Sequence, residues 1–344
     1  MIPADRYLID WHRSRDMRSD QLLHYRPLVV LLGPTAVGKS RVATQVAKYF
    51  ETDVLAADSR QVYRGMDIGT DKPTAEERQG VPHRLIDLVA PSETFNAGWY
   101  RRVAMVEIER LYGAGRMPFV VGGTGLYIRT LVKGLCPAPQ ADPDVRADLK
   151  KLRDDRGREG LYAELMRVDP ETATRLHPND ESKVMRALEV YRLSGRPLSA
   201  VQAEHGFHET SFSALLIGLE RRKETLYRRI GERIDWQLTH GMVEETRLLL
   251  DEGYGRELGS MKGLGYRQVG AYLANECDYA EMVRRFKRDT RRFAKRQMTW
   301  FRGEGGVAWL SIEDNEPYER TAERVIAHIE QFMRALGQRK QPAA

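Results

Sequence analysis

The chain is poor in the residues that would staple or anchor it. Cys136 and Cys277 are its only cysteines in 344 residues, with no Cys-x-x-Cys pair. That argues against a disulfide framework and a cysteine-built zinc site, and it fits a reducing cytosol. No apolar run reaches the roughly 18 residues of a membrane span, so a cytoplasmic protein with no membrane partner is expected. Residues 1–26, MIPADRYLIDWHRSRDMRSDQLLHYR, scatter charge throughout and hold no apolar segment. They read as a flexible extension and not as a secretory leader. An excess of one charge is also nearly lacking: 55 Lys and Arg against 49 Asp and Glu leave +6. A nucleic-acid partner is compatible with this balance only where the cations cluster.

What the chain does have is an α/β texture. PLVVLL from Pro27 is an all-apolar run ending at a glycine, as a strand buried on both faces would be. KSRVATQVAKYF follows at helical spacing, then DVLAADS as a second buried strand and PFVVGGTGLYI as a third that enters a glycine-rich turn. This alternation predicts a parallel, doubly wound sheet with ligands at the carboxyl ends of its strands. Three prolines between 137 and 143 mark a hinge, and the next sixty or so residues are helical and charged. FSALLIGL (212–219) and GVAWLSI (306–312) return strands to the sheet. The predicted organisation is an extension over 1–26, an α/β core over 27–135 plus 211–320 that carries further helices, a helical insertion over 136–210, and a C-terminal helix and tail over 321–344.

GPTAVGKS, Gly33 through Ser40, is a phosphate loop, G-x-x-x-x-G-K-[ST], of the kind found in ATP-binding proteins. It lies between a predicted strand and a predicted helix, as its mechanism requires. Backbone N–H groups of Gly33, Pro34's neighbour Thr35, Ala36, Val37 and Gly38 can turn inward as an anion nest. Lys39 would bridge phosphate oxygens, and the Ser40 hydroxyl would hold Mg²⁺. The loop does not say whose phosphates it holds. The third strand ends in glycines where a switch NTPase would carry a Mg²⁺-binding aspartate. Asp58, just beyond the second strand, supplies the carboxylate instead, where a general base would act, although an Asp-Ser after a strand can also cap a helix.

Seven segments in order, GPTAVGKS (33–40), DSRQVYRGMDIGTDKP (58–73), VPHRLID (81–87), VVGGTGLYI (120–128), HPNDESKVMRALEVY (177–191), GLGYRQ (263–268) and RRFAKRQMTWFR (291–302), resemble tRNA dimethylallyltransferases, also called tRNA isopentenyltransferases, in their shorter bacterial form. The resemblance implies a P-loop NTPase-like, kinase-like core. It implies an enzyme that moves the dimethylallyl group of dimethylallyl diphosphate to N6 of the adenosine 3′ of the anticodon in tRNAs reading codons that begin with U. Asp58 would accept the N6 proton, and Thr35 would join Lys39 and Ser40 at the catalytic loop. Contacts with tRNA are implied at Asp58, Ser59, Arg60 and Gln61, at Thr124 and Arg146, along Ser182, Lys183, Val184, Met185 and Arg186, and along Lys262, Gly263, Leu264, Gly265, Tyr266 and Arg267. The family's diphosphate-contacting arginine aligns with Lys223, with Arg221 and Arg222 just before it, so Arg222 or Lys223 would take that role and the choice among the three cations stays open.

RRFKRDTRRFAKRQMTWFR (284–302) carries nine basic residues and one acid, interleaved with Phe286, Phe293, Trp300 and Phe301. At helical spacing Arg285, Arg288, Arg292 and Lys295 share a face suited to phosphates, and the aromatics fall toward another. His177 in HPND reads as a turn residue before a helix. A nucleoside or nucleotide kinase shares the loop and Asp58 but leaves this basic helix unexplained. An adenylate isopentenyltransferase has no need of it either. A monomer is the expected state.

Overall fold

The computed structural model describes residues 26–205 and 212–338. The extension predicted over 1–26 lies outside them except for Arg26. In chain order the elements are β1 (Pro27–Leu32), α1 (Lys39–Tyr49), β2 (Val54–Ala57), α2 (Ala75–Arg78), β3 (His83–Arg84), α3 (Ala97–Gly113), β4 (Phe119–Gly122) and α4 (Gly125–Lys133). Then come the helices α5 (Pro143–Val168), α6 (Pro170–Arg175), α7 (Glu181–Ser194) and α8 (Leu198–His205). The chain continues as β5 (Ser213–Glu220), α9 (Lys223–Thr239), α10 (Met242–Asp251), α11 (Tyr266–Leu273), α12 (Tyr279–Arg302), β6 (Val307–Ser311) and α13 (Tyr318–Gln338). They form two compact units, one made of residues 133–210 and the other of the segments before and after.

The larger unit is built on one sheet of order β3-β2-β4-β1-β5-β6, with every pairing parallel. β1, β2 and β4 are buried along their whole length, which is why they read as unbroken apolar runs: helices cover both faces. β3 escapes a reading from sequence because two residues carry no periodicity. The main core joins the sheet to α1, α3, α9 and α13, and Ala322, Val325, Ile329 and Met333 of α13 belong to it. The C-terminal helix is therefore a wall of the core and not an appendage. A second apolar cluster gathers Val62, Met66, Met242, Tyr266 and Met282, seating the chain after β2 on α10, α11 and α12. No helix among the described residues is long and apolar enough to cross a membrane.

Residues 133–210 have a core of their own, with Leu149, Leu161 and Leu165 of α5 against Ala173, Val184 and Leu188. α5 is bent at Gly157, whose φ of 68° and ψ of 179° interrupt the helix.

Candidate active site

Strand register decides what meets at the carboxyl edge of the sheet. Leu32 of β1 pairs with Gly122 of β4, and Gly122 pairs with Ala57 of β2. Gly33, Gly123 and Asp58 therefore leave the sheet side by side at one level. The phosphate loop and Asp58 flank the 123–125 turn, two strand spacings apart, or about 10 Å of backbone separation. That gap suits two reacting groups held from opposite sides.

The phosphate loop winds through left-handed backbone at Ala36 (φ 64°) and Gly38 (φ 112°). At Gly38 a side chain would collide with the Tyr318 ring at the start of α13. Lys39 Nζ donates to the carbonyls of Gly33 (2.9 Å) and Pro34 (2.8 Å). Burial lowers its pKa to about 8. Asp58 opposes that shift, Arg233 reinforces it and Asp71 opposes it. These neighbours put the loop lysine and Asp58 within one electrostatic field. Ser40 is exposed in the first turn of α1.

Two arginines grip the loop from outside. Arg221 Nε donates to Val37 O (3.0 Å), and Arg229 Nε donates to Ala36 O (2.9 Å) while its Nη2 reaches the Tyr318 hydroxyl (2.6 Å). Burial lowers the Arg221 pKa, and Arg229 beside it adds to that effect. Two guanidinium groups are thus crowded against a loop shaped for an anion. Arg222 and Lys223, read from sequence as the diphosphate contacts, do not hold the loop. Both are exposed at the start of α9, and the Lys223 ammonium lies 5.7 Å from the Tyr227 ring centre.

Asp58 opens the opposite side. Its Oδ1 accepts from the amides of Arg60 (2.8 Å) and Gln61 (3.4 Å), which folds the chain into a turn. Thr124 supports the same turn: its hydroxyl accepts from Ser59 N (2.9 Å), and its amide donates to Ala57 O (3.1 Å). Gln61 Nε2 donates to Thr70 O (3.3 Å) and Asp71 O (3.1 Å). Beside Asp58 opens a cleft of about 440 Å³ whose lining includes Ser59, Arg60, Tyr63, Phe95 and Gly259. Arg60 Nη1 spans it to Gly259 O (2.8 Å).

Sequence reasoning missed what ties these loops together. Gln297, buried on α12, accepts from Thr35 N (2.9 Å) and donates to Gly123 O (2.8 Å). A signal existed, because Met282, Phe286, Thr290, Ala294, Gln297 and Phe301 form the buried stripe of α12, and a glutamine on such a stripe must find partners. Lys72, also buried, binds Asp67 (2.6 Å), Asp87 (2.5 Å) and Tyr63 O (2.6 Å), pinning the turn after β2. Glu245 of α10 accepts from the amides of Asp67, Ile68 and Gly69 and from the Tyr266 hydroxyl (2.6 Å).

That last bond corrects an expectation. The resemblance implies an RNA contact at Tyr266, but Tyr266 is 2% exposed and is a core residue. Within 262–267 only Lys262 and Arg267 are exposed, and Arg267 pairs with Asp289 (3.1 Å). The predicted phosphate face of α12 is also partly neutralised. Arg285 pairs with Glu281 (2.6 Å) and Arg288 with Asp289 (2.8 Å), while Arg292 stands 3.9 Å from Asp289. Lys295 is exposed and forms no ion pair among the described residues. Phe286 and Phe301 are buried as expected, but Trp300 is 38% exposed. Its ring carries the Arg129 guanidinium 4.3 Å from its centre.

In the 133–210 unit, Arg146 and Arg186 converge on one carboxylate. Glu189 is fully buried and accepts from Arg146 Nε (2.8 Å), Arg186 Nη1 (2.6 Å) and Asp142 N (3.0 Å), while Arg186 Nη2 donates to Pro139 O (2.6 Å). Burial works to raise the Glu189 pKa, but the bonds from Arg186 and Arg146 outweigh it and hold the carboxyl below its usual range. Arg146 thus ties α5 to α7, and Arg186 clamps the proline-rich segment to α7. Val184, expected among the RNA contacts, is 1% exposed and belongs to the core. Ser182 and Lys183 are exposed, and Met185 is half-buried. His177 Nδ1 accepts from Asn179 N (3.1 Å), a turn role.

Comparison with known proteins matches this architecture. A family model described as IPP transferase covers residues 61–304, and one described as isopentenyl transferase covers 26–90. A tRNA dimethylallyltransferase 2 of Geotalea uraniireducens is 46% identical over 288 residues, which is 84% of this chain and 93% of that protein. The tRNA dimethylallyltransferase of Geobacter sulfurreducens shares the same identity and coverage. Among solved structures, the full-length tRNA isopentenylpyrophosphate transferase of Bacillus halodurans superposes with a TM-score of 0.69 at 35% identity, over 91% of this chain and 98% of that one. A eukaryotic dimethylallyltransferase caught acting on tRNA gives 0.77 at 28% identity, over 90% of this chain and 80% of that one. With its phosphate loop, its Asp58 turn and a match across most of its length, the chain belongs to the IPP transferase family.

Proposed function

We propose that the chain transfers the dimethylallyl group of dimethylallyl diphosphate to N6 of the adenosine 3′ of the anticodon in tRNA, releasing diphosphate. The observation that carries this reading is the pairing across β4 of a cation-gripped phosphate loop with the Asp58 carboxylate. The relatives' names, tRNA dimethylallyltransferase among them, support the choice of substrates.

In the reaction the allylic C1–O bond breaks, and its electron pair leaves on a diphosphate oxygen. The N6 lone pair forms the new N–C1 bond, and the N6 proton passes to Asp58. An adenine amine is a poor nucleophile, so stabilising the departing diphosphate matters most. Lys39 leaves the carbonyls of Gly33 and Pro34 to meet that charge, and Arg221 and Arg229 keep the loop carbonyls turned outward. Asp58 then supplies general-base help, typically a 10²–10⁴-fold effect.

The site suits Mg²⁺. Among the described residues no three His, Cys, Asp or Glu side chains gather into a cage. A hard cation that keeps its waters and takes substrate phosphates needs only one or two protein oxygens, and the Ser40 hydroxyl is the one beside the loop. When bound, the ion would neutralise the leaving diphosphate. The extruded adenosine must leave its stack, and the cleft beside Asp58, with Tyr63, Phe95 and Arg60 on its walls, is where a neighbouring nucleotide would rest. The working unit in this reading is a cytoplasmic monomer.

The test is incubation of the purified protein with Mg²⁺, dimethylallyl diphosphate and an unmodified anticodon stem-loop, followed by mass spectrometry of the RNA. A gain of one prenyl group on the adenosine 3′ of the anticodon is expected, with none when ATP replaces the allylic substrate. Phosphoryl transfer from ATP to a nucleoside, with no prenylated RNA, would replace this reading by a kinase.

A further inference from the structure

Gln297 joins the two halves of the site. Its one carboxamide takes the Thr35 amide on one side and the Gly123 carbonyl on the other, at 2.9 and 2.8 Å. Thr35 belongs to the phosphate loop. Gly123 precedes Thr124, whose hydroxyl holds Ser59 N next to Asp58. An unbroken run of bonds therefore leads from the diphosphate side to the base side through a single side chain. Neither link is a strand pairing: β1 and β4 stop at Leu32 and Gly122, and beyond that point, among the described residues, the carboxamide is what hydrogen-bonds the two loops to each other. Gln297 is buried at 8% exposure. Its neighbour Gly123 leaves it no spare room, because a Cβ there would press on Nε2.

We infer that Gln297 is a positioning residue that fixes the distance and angle between the leaving diphosphate and the amine poised at Asp58. It touches neither reactant and acts through Thr35 and Gly123. The inference rests on the transfer reaction proposed above. The physical basis is that displacement at an allylic carbon depends on alignment of nucleophile, carbon and leaving group. A misplacement of about 1 Å in such a geometry can cost on the order of 10²-fold in rate. Binding of either partner alone needs only its own loop, which the arginine grip on one side and the Asp58–Thr124 turn on the other maintain without Gln297. Gln297 also sits on the helix that carries Lys295 and the exposed Trp300. A shift of α12 under bound RNA would therefore be felt at both loops together.

The experiment compares wild type with Gln297→Met, which keeps the length and removes both bonds, and with Gln297→Glu, which keeps the acceptor for Thr35 and loses the donor to Gly123. Four quantities are read for each: the single-turnover rate of prenyl transfer at saturating substrates, the affinity for inorganic diphosphate, the affinity for the stem-loop, and the melting temperature. Positioning predicts that Gln297→Met slows transfer by about 10- to 100-fold with both affinities within about threefold of wild type, and that Gln297→Glu falls between. Transfer within threefold of wild type in both variants would overturn the inference. A loss of rate matched by equal losses in both affinities, or by collapse of the melting transition, would also overturn it, since Gln297 would then only hold the fold. If the wild-type control makes no prenylated RNA, the proposed reaction fails instead, and the two failures are told apart by that control.

Discussion

Arginine does opposite work in the two units. At the phosphate loop, Arg221 and Arg229 end on backbone carbonyls, Val37 O and Ala36 O, and among the described residues no directly bonded carboxylate cancels their charge. In the 133–210 unit, Arg146 and Arg186 end on Glu189, a carboxylate with no exposure, and the cluster serves packing. A carbonyl accepts a hydrogen bond and leaves the guanidinium its full charge. A carboxylate accepts the bond and neutralises it. Cations of the first kind are available to a phosphate, and those of the second kind are already occupied. The same rule divides α12, where Arg285 and Arg288 are paired while Lys295 forms no ion pair among the described residues.

The largest effect that would sharpen this contrast is at the base facing the cations. Asp58→Asn should reduce single-turnover transfer by about 10²–10⁴-fold while diphosphate affinity stays near wild type. Next, Glu189→Ala leaves Arg146, Arg186 and the Asp142 amide without their acceptor. It should lower the stability of that unit by about 1–3 kcal/mol, measured by chemical denaturation, with diphosphate affinity unchanged. RNA affinity should fall about tenfold or more between 50 and 200 mM salt, read by fluorescence anisotropy. Charges paired to carboxylates contribute little to that slope, so Arg288→Gln should flatten it less than Lys295→Gln.

A smaller effect concerns Lys39. Its pKa is lowered to about 8, so the ammonium is charged below that pH and loses its proton as pH rises through it. Diphosphate affinity should weaken above about pH 8 in titration calorimetry, and Lys39→Met should abolish that dependence. The smallest effects belong to Arg222→Ala and Lys223→Ala, whose side chains stand exposed at the start of α9. Each should alter diphosphate affinity by less than about threefold, since surface charges are screened.

Much of this site was legible in the sequence because its parts are local. The phosphate loop is eight consecutive residues, and Asp58 follows a run that could only be a buried strand. β1, β2, β4, β5 and β6 announce themselves as apolar runs for the same reason. The partners that aim these parts are not local. Arg229 and Ala36 are 193 residues apart, and Gln297 and Thr35 are 262 apart; only the folded chain brings them together. Tyr266 differs in the opposite way: the resemblance implies an RNA contact there, but the residue is buried. Its ring faces Met242 and its hydroxyl faces Glu245, facts of packing with no mark in the local sequence.

The contrast between carbonyl-bound and carboxylate-bound arginines is tested most directly by titrating inorganic diphosphate with Mg²⁺ into Arg229→Met and Arg146→Met under identical conditions. Arg229→Met should bind at least about tenfold more weakly than wild type, a charge-assisted contribution of about 1.4 kcal/mol or more, and Arg146→Met should bind as wild type does. Equal affinities in the two variants would contradict the account, because the arginines gripping the loop would then contribute no more to anion binding than those locked on Glu189.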